Sequence, residues 1–389
     1  MAPSSLEVRP VHSRADEKQF ATFPWQVYRD DPNWVPPLLS MQYEVFDPRK
    51  NPFWEHSRCE RFIAWRDDRP VGTIAAIVNE NHNRTHHDRI GFFGFFEVMP
   101  DEEAAHALFQ AAGDWLCAQG MDTIRGPANP SVNDEYGMLV EGFDRPPVVM
   151  MTYNPPYYVE FTEGFGFQKA MDLWAYYIDA SAYLRPDGSI EVPRKLQRVV
   201  NAVKRSGKFR IRKLEKRRWR EEVDRIKYIY NTAWEKNWGA VAMTDAEIEH
   251  LAKGLLQIVD PDLVFLVETP QGDPVGLSLT LPDVNQALHR AYPRPGVPEF
   301  WTLLRFFWHY KVRPKVDGCR VLILGVLEPY RGRGVDALMY YETIQEALRK
   351  GYTWAEMSWI LETNEMMNRA IRFLGGKVYK TYRIYEKPL

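Results

Sequence analysis

The sequence predicts an α+β protein built from two similar halves, each a mixed, mostly antiparallel sheet flanked by helices. Three observations carry that expectation. The C-terminal half runs β-α-α-β-β-β-α-β-α-β in its alternation of short apolar runs and amphipathic stretches. The N-terminal half reads as a looser copy, offset by roughly 190 residues, which indicates a tandem pair and not a solenoid. The length of 389 residues also exceeds one usual hydrophobic core.

In the first half, residues 6–11 read as a strand and 16–28 as a helix. Residues 61–66 and 71–78 form a hairpin, 90–98 a buried strand, 102–119 a helix and 123–126 a short strand. Residues 160–167 resemble a helix end followed by a Gly-Phe turn, and 172–179 read as a strand. The polar stretch 82–88 is expected to be a hairpin loop: His82 and His86 stand four apart, but no cysteine accompanies them, so no metal is expected. In the second half, strands are expected at 209–214, 263–268, 274–281, 320–326, 353–359 and 377–386. Helices are expected at 219–234, 245–258, 337–348 and 365–374. Thr244 and Glu247 form a capping box for the second of these helices. The domain expectation is 1–180, a basic linker helix over 181–207, and 208–389 with an aromatic insert at 286–314.

Composition excludes several classes. A formal charge of −2 argues against a dedicated nucleic-acid binder, and the 3 cysteines (Cys59, Cys117, Cys319) lack metal spacing and suit a reducing compartment. The start of the chain shows no apolar signal region, and no run reaches the ~18 apolar residues of a spanning helix. A cytoplasmic protein is therefore expected.

The most telling motif follows the strand 320–326. Arg331-Gly-Arg-Gly334 leads straight into an amphipathic helix, and helix-initial N–H groups favour anions. Gly332 and Gly334 let the backbone approach closely, while Arg331 and Arg333 add charge; Gly325 and Val326 offer strand backbone just before them. Asp336, in the first turn of the helix, favours the helix dipole but opposes a bound diphosphate. The matching place in the first half carries Asp101, Glu102 and Glu103, which would repel a diphosphate.

A second polar concentration spans 125–137 and continues to 158. Asp134 or Glu135 is a candidate base and Tyr153 or Tyr157 a candidate acid, while Asn129, Ser131, Asn133, Asn154 and Tyr157 are candidate substrate contacts. The alternative is a self-hydrogen-bonded Asx-rich turn. On the strand 353–359, Glu356 and Ser358 share a face. The insert 298–311 is apolar on nearly every side, which fits deep burial or a cover over a hydrophobic ligand or membrane. Residues 194–220 hold thirteen Lys/Arg against one Glu. That is a solvated face or an attraction to anionic headgroups.

The element order and the Arg331–Gly334 turn resemble the GNAT acyltransferase superfamily. Gly91-Phe-Phe-Gly-Phe-Phe-Glu97, the 126–135 segment, Tyr153-Asn-Pro-Pro-Tyr-Tyr158 and Lys380-Thr-Tyr-Arg-Ile-Tyr-Glu-Lys387 together resemble a bacterial family of tandem GNAT-like proteins that includes the bacterial ceramide synthases. The resemblance implies an N-acyltransferase using acyl-CoA or acetyl-CoA as cosubstrate without a metal. It also implies a CoA diphosphate on residues 331–334 and a long-chain amine, such as a sphingoid base, as acceptor. GNAT enzymes usually carry a tyrosine where this chain has Ile371, so the acid must come from elsewhere. Two other readings stay open: a non-catalytic binder, and an acetyltransferase of small amines or peptides. Peripheral contact with the inner membrane face is a further expectation.

Overall fold

A computed structural model describes residues 5–234 and 237–389; residues 1–4, where the signal-region reading begins, lie outside it. The first elements are β1 (Leu6–Pro10), α1 (Arg14–Thr22), α2 (Pro24–Val27) and α3 (Leu39–Glu44). The hairpin β2 (Ser57–Arg66) and β3 (Arg69–Asn79) follows, then α4 (Glu80–His86), β4 (Ile90–Val98), α5 (Glu102–Ala118) and β5 (Thr123–Gly126). Short strands β6 (Ala128–Asn129), β7 (Glu135–Tyr136) and β8 (Met138–Glu141) precede α6 (Tyr157–Gly164) and β9 (Gln168–Asp179). The second series is α7 (Arg194–Ser206), β10 (Arg210–Lys213), α8 (Trp219–Ala233), α9 (Asp245–Leu255), β11 (Val264–Glu268) and β12 (Pro274–Pro282). After α10 (Asn285–Ala291) and α11 (Glu299–Phe307) come β13 (Gly318–Val326), α12 (Val335–Arg349), β14 (Trp354–Leu361), α13 (Glu365–Phe373) and β15 (Lys377–Pro388).

These elements form two compact units. The first comprises 1–173, 287–314 and 380–389; the second comprises 174–286 and 315–379. The insert and the end of β15 thus belong with the first unit. Trp25 Nε1–H donates to the Pro293 carbonyl at 2.8 Å within that unit.

The first unit orders its strands β1-β2-β3-β4-β5-β15, with β8 also on β15. α5 is opened by Asp101, whose carboxylate accepts from the Ala104 N–H. Its Ala104, Leu108, Phe109, Ala112 and Leu116 are buried, at the near-helical spacing that makes one apolar face. Phe109 stacks on Phe96 with ring centroids 4.5 Å apart and meets Phe93 edge-on. The second unit orders β9-β14-β13-β12-β11-β10. α7 packs its Leu196, Val200 and Val203 into a core shared with Ala337 and Leu338 of α12.

Two local expectations are corrected. The polar stretch at 82–88 lies largely in the helix α4, because Asn79 caps it through the His82 N–H and His87 ends it in the left-handed region at φ 55°. The single helix expected over 16–28 is broken between Thr22 and Pro24, where proline has no N–H to continue the ladder.

Candidate active site

In the second unit, β12 and β13 stay paired to Gly276↔Val326, apart from a bulge where Thr280 already opposes Val321 while Leu279 opposes Ile323. On its other side β13 pairs in parallel with β14 only over 318–321 against 354–357, although both strands run on to Val326 and Leu361. The two strands part, and the far half of β13 presents a strand edge. Gly334, in the left-handed region at φ 81°, is the N-cap of α12 just beyond that edge. The expected donor residues therefore fall in one stretch: Gly325 and Val326 on the edge, and Arg331 to Gly334 in the turn.

The side chains there are already committed in part. Arg331 Nε donates to the Val326 carbonyl at 3.1 Å and its Nη2 to the Ala233 carbonyl at 3.0 Å, so it staples the turn to β13 and to the end of α8. Arg333 is exposed and lies over the Tyr330 ring. A Cβ on Gly334 would stand 2.6 Å from Val203, and one on Gly325 would stand 2.2 Å from the Trp234 ring. Both glycines therefore permit close packing, and Gly334 also supplies the turn geometry. On the face carrying Leu279 and Ile323, α8 and α9 leave an apolar space lined also by Val223, Tyr230, Ile248 and Leu251. Its enclosed volume is about 50 Å³.

The first unit repeats this geometry and then closes it. β3 and β4 carry a register shift opposite Phe95, which has a φ of 48°. β4 pairs with β5 only over 90–92 against 123–125. Here the freed edge is covered by the chain itself. The Asn129 side-chain Oδ1 accepts from the Phe95 N–H at 2.6 Å. A Cβ on Gly94 would lie 1.8 Å from the Ala128 carbonyl oxygen, and one on Gly126 would lie 2.3 Å from that of Phe93.

Most of the polar loop bonds to itself or to nearby backbone. Ser131, buried, donates to Asp134 at 2.6 Å and accepts from the Asn133 N–H at 3.1 Å. Buried Asn154 accepts from the Leu139 N–H at 2.7 Å and donates to the Leu139 and Pro155 carbonyls. Tyr153 donates to Asp31 at 2.9 Å and Tyr157 to the Val98 carbonyl at 2.7 Å; burial raises both phenols. Glu135 is exposed, opposite Asn129 in the β6–β7 pair.

What the sequence reading passed over is Glu97, near the end of β4. Tyr158 donates to its carboxylate at 2.8 Å, and Tyr28 faces the same carboxyl. Glu97 keeps partial solvent contact, yet desolvation dominates and lifts its pKa to about 8. The two phenols oppose that rise and the Glu135 charge adds to it. Its sequence position, closing an aromatic run, gives no hint of this; the tyrosines come from α6 and from just beyond α2.

In the second unit, Glu356 and Ser358 are fully or nearly buried with Arg320. Arg320 Nε donates to Ser358 Oγ at 3.0 Å, Ser358 donates to Glu356, and Tyr379 also donates to Glu356. This hydrogen-bonded network stands where β13 and β14 part. Ile371 is completely buried in the core. Among the described residues no cluster of His, Cys, Asp or Glu suits a metal.

A bulged fourth strand parting from the fifth, followed by a helix, recurs in both units. Solved structures share the fold: a tandem GNAT protein of the clavulanic acid biosynthesis pathway superposes with a TM-score of 0.57 over 99% of this chain and 98% of its own, at 11% identity. A GCN5-related N-acetyltransferase from Sphaerobacter thermophilus gives 0.51 over 98% and 95%, at 13% identity. No protein-family model matches the chain. Over 391 residues it is 36% identical to the bacterial ceramide synthase of Caulobacter vibrioides, covering 99% of this chain and 98% of the relative. Protein YghO of Escherichia coli is 33% identical over 386 residues, covering 98% and 95%. The protein is an N-acyltransferase of the tandem GNAT fold. Within that class, it belongs to the family of the bacterial ceramide synthase.

Proposed function

We propose that the protein transfers an acyl group from acyl-CoA to the amino group of a long-chain amine, with a sphingoid base as the favoured acceptor. The open edge of β13, running into the glycine-capped start of α12, is the observation that carries the donor side. Val326 backbone would meet the pantetheine arm, and the Arg331–Gly334 turn with the first N–H groups of α12 would meet the diphosphate.

The acceptor reading is supported by the name of the Caulobacter vibrioides relative, since a ceramide is an N-acylated sphingoid base. An amine attacks the thioester carbonyl directly once it has lost its ammonium proton. In the first unit, Glu97, raised to about 8, is a carboxyl able to accept an ammonium proton near neutral pH. The N–C bond forms and the C–S bond breaks; the nitrogen then sheds a second proton, which neutralises the departing thiolate, while the ammonium proton taken before attack is released to solvent. The first unit's own 126–129 segment on β4 favours one donor site per chain, in the second unit.

Thiol release from palmitoyl-CoA and acetyl-CoA, with sphinganine, hexylamine, spermidine and a peptide amine as acceptors, tests the reading. Turnover confined to palmitoyl-CoA with sphinganine supports it. Turnover with the small amines or the peptide moves the function to a small-amine or peptide acetyltransferase. No release with any pair overturns the proposal.

A further inference from the structure

α11 is amphipathic in the wrong sense for a helix of a folded core. Its inner face consists of Glu299, Thr302 and Phe306, spaced by three and four, and Thr302 is its one buried residue. Its large apolar side chains point the other way: Phe300, Trp301 and Phe307 are 62%, 58% and 57% exposed, and Leu303, Leu304 and Trp308 are close behind. A turn of π-helix over Trp308–Val312 extends this surface to exposed Val312. At the other end, Ser40 donates to Glu299 at 2.7 Å, fixing α3, with its exposed Met41 and Tyr43, beside the helix start within the same unit. Such a patch marks an interaction surface.

Charge selects the occupant. The segment 287–314 carries five Lys/Arg (Arg290, Arg294, Arg305, Lys311 and Arg313) and a single carboxylate, Glu299. That carboxylate accepts from both the N–H and the hydroxyl of Ser40, at 2.9 and 2.7 Å. The cations lie beside the aromatic rings: Lys311 over Tyr310, Arg313 over Trp308. Tryptophan and phenylalanine facing outward, bordered by cations, are the residues that seat a helix at the boundary between headgroups and acyl chains. α11 is only 9 residues long, too short to cross a membrane.

We infer that α11 and the turn after it form an interfacial anchor that docks the protein on an anionic phospholipid surface. The aromatic face enters the headgroup boundary, and Arg305, Lys311 and Arg313 meet lipid phosphates. The basic stretch 194–220 is a weaker candidate for this role. Its Lys204, Arg212, Lys213 and Arg218 are engaged with Glu342, Glu222 and Glu268, Asp262 and Glu346, and Glu221.

Co-sedimentation of the full chain with phosphatidylcholine vesicles, with and without phosphatidylglycerol, tests the anchor. The wild type is expected in the pellet only with the anionic vesicles, with a blue shift of its tryptophan emission. Trp301→Ser with Phe307→Ser is expected to lower the bound fraction about tenfold, with the thermal midpoint kept because both side chains are exposed. Lys311→Ala with Arg313→Ala is expected to flatten the dependence on phosphatidylglycerol. Wild-type protein left in the supernatant with both vesicles overturns the inference, as does undiminished binding of the serine variant. So does light scattering that shows a wild-type dimer, dissociated by the serine substitutions, with no vesicle binding: a second copy would then cover the face.

Discussion

Glu97 shows how one carboxyl acquires its chemistry from its neighbours. Nothing in Phe95-Phe-Glu97 distinguishes it from a strand-ending glutamate, but the fold brings Tyr28 and Tyr158 onto it and removes most of its water. Its folded pKa of about 8 lies above the ordinary 4.5, so folding favours the protonated form. The stability it contributes is therefore fully present below about pH 4.5 and is lost as the pH rises through about 8. The slope is at most about 1.4 kcal/mol per pH unit. Glu97→Gln should abolish that slope: denaturation curves of wild type and variant should converge in acid and separate towards pH 8, with the variant more stable there. If Glu97 is also the base, thiol release in the variant should fall at least about tenfold, since general-base catalysis contributes at least about a hundredfold in many enzymes. A variant with the wild-type pH dependence of stability would remove the raised pKa. A variant with the wild-type rate would remove the catalytic role.

At the scale of elements, the divergence of β13 from β14 decides where a donor can lie, and glycines decide how closely neighbours approach it. The Trp234 ring at the end of α8 lies against Gly325, leaving no room for a side chain. Gly325→Ala should cost about 1–3 kcal/mol through overpacking, and Trp234→Ala should relieve most of that cost. Urea denaturation of the two single variants and the double variant forms the cycle; additive losses would mean the ring is not what Gly325 accommodates. The sequence made these elements legible where periodicity and punctuation agree, as in the strand before Arg331, the glycine-rich turn and the helix from Val335. It concealed α4, because Glu80-Asn-His-Asn-Arg-Thr-His86 is polar throughout and its cap, Asn79, looks like any loop asparagine. It also concealed which half leaves its strand edge open. The acidic residues 101–103 argue against an anion at the first loop, but the coverage of β4 by Ala128 and Asn129 becomes visible only when the chain folds back. The polar loop was legible as a concentration of hydrogen-bonding groups, while the partners of Asn154 and Ser131 depend on backbone that only the fold supplies.

For the whole molecule, the repeat visible in the sequence and the compact units of the fold have different boundaries. The repeat suggests cutting near residue 180, whereas the first unit also contains 287–314 and 380–389. The last strand is the decisive piece. Tyr385 to Pro388 pair with β5 in the register Tyr385↔Gly126 and Pro388↔Thr123, and Thr381 to Arg383 pair with β8. Tyr385 is fully buried in the same core as Phe93 and Phe109, and Lys380 donates to the Gly142 and Arg145 carbonyls at 2.7 Å. A fragment of residues 1–180 would leave β5 and β8 each with an open strand edge, which invites aggregation. It would also leave a hole the size of a tyrosine ring in the core, and emptying a site that large costs about 3–5 kcal/mol. That loss is a large part of the roughly 5–15 kcal/mol that holds a domain together. The fragment should therefore fail to unfold cooperatively in urea and should be found mainly in aggregates. Appending residues 380–389 through a flexible linker should recover part of the transition, because it restores both ladders. A fragment of 1–180 that unfolds as sharply as the intact chain would show that the final strand is dispensable to the first unit, and that the boundary suggested by the repeat is also the boundary of folding.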